Sequence, residues 1–192
     1  GVERYSDLDQ QHLEPVSENS KDNILQLLVK TNQSDIKIGA AARHRINRIH
    51  INSEIKTGKA KISELFKVEA RINEEISLEK MVSLYTTIKN DSEDPIKDAV
   101  AAINDTEGFY DELKKSEQGW DTIWGRMNVK VIGDRNVQRL LHLHQYHMMV
   151  TASPYHAGLD AGIPPRGLHG EAYRGHIFWD ELFILPLYNL HY

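Results

Sequence analysis

The chain has 192 residues, 28 acidic against 23 basic side chains, a formal net charge of -5 and no cysteine. The excess of acids argues against nucleic acid as a partner, because phosphate binding calls for clustered Lys and Arg. The absence of cysteine excludes disulfides, thiolate metal sites and a cysteine nucleophile, and it fits a reducing compartment, so we favour the cytoplasm.

The two ends of the chain show no targeting or membrane signal. No stretch of about 18 apolar residues occurs, so we expect no membrane partner. The start, GVERYSDLDQQHLEP, lacks the apolar run of a signal peptide and has no Met. The end, LPLYNLHY, stops within an apolar helical pattern. From these ends we expect a piece of a longer protein.

Residues 1–90 have the pattern of antiparallel β-structure. Alternating apolar and charged side chains over 66–72 predict a half-buried strand. Clusters of β-branched and aliphatic residues predict further strands, at 24–29, 36–46 and 78–88. Turn signals at 32–35 and 57–59 lie between strands. Because no helix intervenes, we predict a partial antiparallel β-sandwich.

The acidic segment 90–95 marks a change from strands to helices. Asp94 before Pro95 predicts a helix start, since the Asp side chain caps the first turn and Pro suits the first helical position. Helical spacing follows on both sides of Gly108, at Ile96, Ala99, Val100 and Ile103 and then at Phe109, Leu113, Trp120, Ile123, Trp124 and Met127. We predict a helical linker over 91–133, ending in a short extended piece at 128–132.

Two more helices are predicted, giving an α+β fold class. Asp134 caps the first, whose predicted apolar face consists of Val137, Leu140, Leu141, His144 and Met148. Residues 152–179 are predicted to be irregular. Asp180 opens the last helix, which carries Leu182, Phe183, Leu185 and Leu187. A helical domain is therefore assigned to 134–192.

Three histidines, His142, His144 and His147, lie close together on the helix that Asp134 begins. A metal site needs its imidazoles on one face, which His144 and His147 satisfy and His142 does not. No carboxylate is spaced to complete the site. We therefore expect packed or hydrogen-bonded histidines and no metal, with a metal protein as a weaker alternative.

The most specific stretch is 164–180, PPRGLHGEAYRGHIFWD. Charged and aromatic residues alternate there with Gly167, Gly170 and Gly175, which permit close approaches and left-handed backbone. This composition indicates the lining of a pocket. The chain contains neither the G-x-S-x-G of a serine hydrolase nor a Walker-type phosphate loop.

Carboxylates are the candidate acids and bases of this stretch, at Glu171, Asp180 and Glu181. Trp179 beside Asp180 suits a sugar, since an aromatic face packs on its CH groups and a carboxylate accepts from its hydroxyls. A purely structural interpretation stays open: Asp180 as a helix cap and Trp179 as core.

The segment RGLHGEAYRGHIFWDELF at 166–183 resembles glycoside hydrolase family sixty-five, the maltose, trehalose and kojibiose phosphorylases and related hydrolases. The resemblance extends, more weakly, through LHLHQYHMMVTAS at 141–153, SLYTT at 83–87, DPIKDAV at 94–100 and RYSDLDQQHLEP at 4–15. It implies the end of an N-terminal β-sandwich, a helical linker and the first helices of an (α/α)₆ barrel.

The resemblance also implies an inverting reaction on an α-linked glucose disaccharide, by attack of inorganic phosphate or water and without a cofactor. It assigns sugar binding to Trp179 and Asp180, with Tyr173, Arg174 and His176 as weaker assignments.

The family's general acid, a glutamate in a Gly-x-Asp-Glu-Tyr-His motif, has no counterpart in this sequence, nor has its phosphate loop. We therefore predict no catalytic residue here and an inactive isolated chain. The alternative is a non-catalytic carbohydrate-binding or scaffold protein.

Overall fold

The computed structural model describes residues 12–48, 52–88, 92–153, 156, 158–167 and 173–191. The chain divides into two compact units, Gly1–Leu113 and Lys114–Tyr192. Strands precede helices along the described residues, which confirms the predicted α+β class. The finer division at 90 and 133 stays a prediction.

The strands are β1 Leu13–Lys21, β2 Ile24–Thr31, β3 Lys37–Ile46, β4 Asn52–Gly58, β5 Lys61–Lys67 and β6 Leu78–Thr86. The α-helices are α1 Pro95–Asp105, α2 Phe109–Met127, α3 Arg135–Thr151 and α4 Glu181–His191. A short 3₁₀ turn, Tyr173–Gly175, precedes α4. None of these helices is both long and apolar enough to cross a bilayer.

Four strands form an antiparallel sheet in the order β1-β2-β3-β6, and β4 and β5 form a separate hairpin. The predicted strands at 24–29, 36–46 and 78–88 are confirmed as β2, β3 and β6. The turn at 32–35 is confirmed between β2 and β3, where Thr31 N–H donates to the Ile36 carbonyl oxygen and Ile36 N–H donates to the Thr31 hydroxyl oxygen. The predicted turn at 57–59 lies slightly later, at Lys59 and Ala60.

Helix α1 packs on one face of the four-stranded sheet and forms the core of the first unit. Asp94 caps α1 as predicted, accepting a hydrogen bond from the Lys97 N–H at 3.1 Å. The buried cluster joins two sheet residues to two helix residues, Ile24 and Ala41 to Ala99 and Ile103. The apolar spacing that predicted α1 therefore corresponds to its buried side.

The hairpin lies against the opposite face of the sheet. Residues of that face, among them Leu25, Ala42 and His44, line a common cavity with Ile62 and Glu64 of β5. His44 Nδ1 lies 2.8 Å from Glu64 Oε2, and the His44 ring meets Phe66 edge to face at 5.6 Å. A polar pair thus connects the two sheets.

Charges at the start of the sheet also connect neighbouring strands. Lys30 Nζ lies 3.3 Å from Glu14 Oε2 and 3.3 Å from Asp35 Oδ1. Hydrogen bonds to Glu14 and then to Asp35 raise the pKa of Lys30 above its usual value. These side chains are exposed, so the pairs add little stability.

The strand predicted at 66–72 is largely wrong. Strand β5 ends at Lys67, opposite Asn52, and the pairing of the hairpin reaches no further. Beyond it Glu74 N–H donates to Arg71 O at 3.1 Å, and Ile72 is 94% exposed. The alternation of apolar and charged residues continues beyond Lys67, where β4 no longer provides a hydrogen-bonding partner.

Strands β1 and β4 escaped prediction because their sequences lack an apolar face, and only residues 66 and 67 of β5 fall within a predicted strand. Strand β1, LEPVSENSK, is a polar edge strand whose register shifts between Pro15 and Ser17. Strand β4, NSEIKTG, is exposed along its whole length. Backbone pairing orders them, β1 with β2 and β4 with β5. Such pairing leaves no alternation of apolar and polar residues in the sequence.

Helix α3 begins at the predicted cap, where Asp134 accepts from Asn136 and Val137 N–H. Its predicted apolar face is mostly wrong, since Val137, Leu140, His144 and Met148 are exposed and only Leu141 is half-buried. The packed side carries amides and an imidazole instead, with Met149 buried at its end.

Polar groups fix this side of α3. Gln138 donates to Val129 O at 2.9 Å and accepts from Val131 N–H at 2.6 Å, and Gln145 donates to Met127 O at 2.6 Å. Because these bonds satisfy the backbone after α2, they decide which side of α3 faces inward. Residues 128–132 belong to no helix or strand, and the extended piece expected there stays a prediction.

Candidate functional site

Within the glycine-rich stretch, the described residues 173–175 form a short 3₁₀ turn ahead of α4. Residues 168–172 lie outside the described part, and with them Gly170 and Glu171. Gly167 and Gly175 adopt left-handed backbone, with φ of 59° and 74°, as their glycine identity predicted. Tyr173 is also left-handed, with φ 58°, a conformation that is uncommon for a residue with a side chain.

Tyr173 and His176 lie in the same turn. His176 Nδ1 lies 2.5 Å from the Tyr173 carbonyl oxygen. Phe178 contacts both rings, at 4.7 Å from Tyr173 and 6.4 Å from His176. Phe178 was not singled out from the sequence, although it belongs to the motif that contains the predicted residues. The side chain of Arg174, the remaining predicted residue of this turn, lies outside the described part.

Trp179 and Asp180 lie where the chain enters α4. Trp179 is 73% exposed, and its ring meets Phe183 edge to face at 5.8 Å. It is therefore not a core residue in this structure. The described contacts join Tyr173 and His176 through Phe178, and Trp179 to Phe183, but none joins these two groups.

Asp180 is half-buried beside Trp179. Its carbonyl oxygen accepts from Phe183 N–H at 3.0 Å, which starts the first turn of α4. Among the described residues none donates a hydrogen bond to the Asp180 carboxylate, so the described contacts give it no capping role. The helix predicted to open at Asp180 is confirmed, beginning at Glu181.

Glu181 has a different environment from Asp180. Its Oε1 accepts a hydrogen bond from Ile163 N–H at 2.9 Å. Glu181 also borders a cleft of about 460 Å³ between the end of α3, the segment 156–164 and α4. Polar and apolar side chains line the cleft together, among them Ser153, His156 and Asn189 with Leu159, Ile163 and Leu185. Sequence reasoning did not find this cleft, because its walls are far apart in the chain.

The three histidines of α3 do not converge on one point. His142 Nε2 lies 2.7 Å from Gln138 Nε2 and 3.1 Å from Asn128 Oδ1, and its ring packs on Trp124 at 5.2 Å. His144 is exposed, and His147 contacts Tyr146 at 5.4 Å. In the described ranges no group of three or more His, Asp or Glu residues could hold a metal ion.

Comparison with known protein families gives two matches along the chain. The model of the N-terminal domain of glycosyl hydrolase family 65 matches residues 1–123, and the model of the central catalytic domain of that family matches residues 142–192. The chain belongs to this family. The resemblance drawn from residues 166–183 is therefore confirmed.

Relatives of the family cover almost the whole chain. An uncharacterized glycosyl hydrolase of Mycobacterium tuberculosis (strain ATCC 25618 / H37Rv) is 31% identical over 98% of this chain. The trehalose 6-phosphate phosphorylase of Lactococcus lactis subsp. lactis (strain IL1403) is 27% identical over 97% of it. The chain spans only 14% of the first relative and 24% of the second.

A solved structure shares the fold. It is described as a putative kojibiose phosphorylase from human microbiome, and it superimposes with a TM-score of 0.73 at 20% identity. The match covers 92% of this chain and 23% of the other. The fold of this chain is therefore shared with part of that structure.

Proposed function

We propose that this chain supplies part of the sugar site of an enzyme that cleaves α-linked glucose disaccharides. The observation that carries the proposal is the Trp179–Asp180 pair at the start of α4. Trp179 presents a largely exposed ring, and no described residue donates to the Asp180 carboxylate. An aromatic face next to a hydrogen-bond acceptor matches the two surfaces of a sugar ring.

Each side chain has a role in this proposal. The Trp179 ring packs on sugar CH groups, and the Asp180 carboxylate accepts from sugar hydroxyls. Tyr173 and His176 add hydrogen-bonding groups from the preceding turn, and Arg174 adds a cation. Phe178 contacts the rings of Tyr173 and His176, so it holds that turn together.

The reaction we propose is inverting, with inorganic phosphate or water as the attacking group. Phosphate is favoured, because the Lactococcus relative and the superimposed structure are both described as phosphorylases. Phosphate would then be a co-substrate, and no cofactor is required. We place the protein in the cytoplasm, in keeping with the absence of cysteine.

We propose further that the 192 residues alone are inactive. They form a minor part of the length of their relatives, and the glutamate motif expected to supply the general acid is absent from the sequence. General acid catalysis is worth about 10²–10⁴-fold in rate. The purified chain should therefore release neither glucose nor glucose phosphate from maltose, trehalose or kojibiose. Robust turnover of any of them would contradict this proposal.

The sugar-binding role is tested in a longer enzyme that contains these residues. We expect Trp179→Ala and Asp180→Asn each to lower kcat/KM by about a hundredfold, because both remove contacts to the reacting sugar. Asp160→Asn, at an exposed carboxylate of the same unit, is the control and should leave kcat/KM unchanged. Near-normal kcat/KM in both site variants would mean that Trp179 and Asp180 have structural roles and do not bind the sugar.

The exposed Trp179 ring also suits a non-catalytic carbohydrate-binding protein, which is the second candidate function. Titration calorimetry of the isolated chain with kojibiose and trehalose separates the two. Saturable binding that Trp179→Ala abolishes would favour the binding protein. No heat of binding would favour the enzyme portion, whose site is completed by further residues.

A further inference from the structure

One short segment contacts the sugar motif on both sides of the Trp179–Asp180 pair. On the upstream side Gly162 N–H donates to the Gly175 carbonyl oxygen at 2.7 Å. On the downstream side Ile163 N–H donates to Glu181 Oε1 at 2.9 Å. The adjacent amides of Gly162 and Ile163 therefore hold both ends of the segment 175–181, which contains Trp179 and Asp180.

The upstream contact requires glycine at 162. A Cβ at this position would lie 2.5 Å from Glu181 Oε1 and 2.6 Å from the His176 carbonyl oxygen, closer than real Cβ contacts come. Gly175, on the other side of the bond, is left-handed, and a Cβ there would meet Ala161 Cβ at 3.2 Å. The absence of side chains at 162 and 175 lets the two segments touch.

The downstream contact uses a carboxylate. An N–H that donates to an ionised carboxylate forms a charge-assisted hydrogen bond, which is stronger than one between neutral groups. A general acid would instead present a protonated oxygen to the bond being cleaved. Glu181 Oε1 instead accepts a hydrogen bond from the backbone amide of Ile163. The geometry therefore indicates a role in holding the chain rather than in transferring a proton.

From these contacts we propose that Glu181 is a positioning residue for the Trp179–Asp180 pair. It acts through Ile163, and Gly162 provides the second attachment of the same segment. The proposal rests on the sugar-binding function given above. Its physical reason is that a displacement of about 1 Å at a reacting group costs roughly a hundredfold in rate, so the turn needs support from outside itself.

The contact itself is tested in the 192-residue chain by amide hydrogen exchange and NMR. In Glu181→Ala the Ile163 amide should lose its protection, and the Trp179 indole resonance should shift. Glu181→Gln keeps an oxygen that accepts from Ile163 N–H and should restore both signals. Asp160→Asn, an exposed carboxylate of the same loop, serves as control.

These variants also separate positioning from a simple charge effect. A negatively charged carboxylate in the first turn of α4 stabilises the helix by interacting with the helix dipole. Glu181→Ala and Glu181→Gln would lose that stabilisation equally. Rescue by Gln alone therefore supports the hydrogen bond. Unchanged Ile163 exchange and Trp179 resonance in Glu181→Ala would overturn the proposal.

A second variant tests the segment from its other end. Gly162→Ala leaves Glu181 in place but forces the loop away from it, because the added Cβ has no room. We expect the Ile163 amide and the Trp179 indole to change as they do in Glu181→Ala. A Gly162→Ala chain with native spectra would contradict the close contact on which the proposal depends.

Kinetics in a longer enzyme that contains these residues distinguish this inference from the proposed function. We expect Glu181→Ala to lower kcat/KM by about tenfold to a hundredfold, and Glu181→Gln to recover most of it. If Trp179→Ala and Asp180→Asn impair the enzyme while Glu181→Ala does not, only the positioning role fails. If Trp179→Ala and Asp180→Asn are harmless, the sugar-binding function fails, and a positioning role serving it fails too.

Discussion

The imidazole of His44 and the carboxylate of Glu64 lie 2.8 Å apart between the four-stranded sheet and the β4–β5 hairpin. Their side chains are only 10% and 15% exposed. Lys80 of β6, which pairs with His44 in the sheet, and Ser63 line the same cavity. The His44–Glu64 pair is a polar link within an otherwise largely apolar contact between the sheet and the hairpin.

We expect Glu64→Ala to destabilise the first unit by about 1–3 kcal/mol, because it leaves the part-buried His44 nitrogen without its partner. Urea unfolding followed by circular dichroism measures the change. The control is Glu54→Ala, which removes the carboxylate of an exposed pair with Lys56 in the same hairpin. That change should stay within about 0.5 kcal/mol. Equal losses in the two variants would show that the His44–Glu64 contact contributes nothing specific.

In the first unit the sequence predicted elements that bury aliphatic side chains. Strands β2 and β3 were marked by clusters of such residues, and helix α1 by their helical spacing. Strands β1 and β4 are ordered by backbone hydrogen bonds, which depend little on the side chain. Their polar sequences therefore carried no signal.

Helix α3 shows a second limit of apolar patterns. Its leucines at 140 and 143 are exposed, whereas Gln138, His142 and Gln145 make the contacts to residues 127–131. Hydrogen bonds to a neighbouring segment decided the orientation of the helix. Such bonds depend on where that segment lies in space, which periodicity does not report.

Similar reasons govern the candidate site. The motif, its glycines at 167 and 175 and the start of α4 were visible in the sequence. The support from Gly162 and Ile163 was not, because it joins residues 13 to 18 positions apart through backbone amides. A glycine that is required by close contact looks the same in a sequence as a glycine in a turn.

Ile103 and Ile72 provide a matched test of the core. Ile103 is 2% exposed within the α1–sheet cluster, whereas Ile72 is 94% exposed beyond the end of β5. We expect Ile103→Ala to cost about 2–5 kcal/mol in the free energy of unfolding, because it creates a cavity that the sheet fills only partly. Ile72→Ala should change it by no more than about 0.5 kcal/mol.

Chemical denaturation of the two isoleucine variants measures both values. A small loss for Ile103→Ala would mean that α1 is not firmly packed on the sheet. A large loss for Ile72→Ala would mean that the segment after β5 packs against other residues in solution.

Helix α4 exposes large apolar side chains on several sides. Leu182 is 72% and Leu190 78% exposed, and Leu185 and Phe183 add to this surface. Contiguous apolar surface of more than a few hundred Å² usually marks an interaction site. We therefore predict that the isolated chain self-associates through α4, and that the double variant Leu182→Lys with Leu190→Lys weakens the association by placing like charges on it.

Sedimentation velocity over a range of concentrations measures the association. The control is Ile132→Lys, which adds a charge at an apolar residue outside α4 that is more exposed still. We expect the average mass of the unaltered chain and of Ile132→Lys to rise with concentration, and that of the double variant to stay near 22.0 kDa. A monomeric unaltered chain at high concentration would contradict the prediction. Loss of association in Ile132→Lys alone would show that the chains associate through the segment before α3 and not through α4.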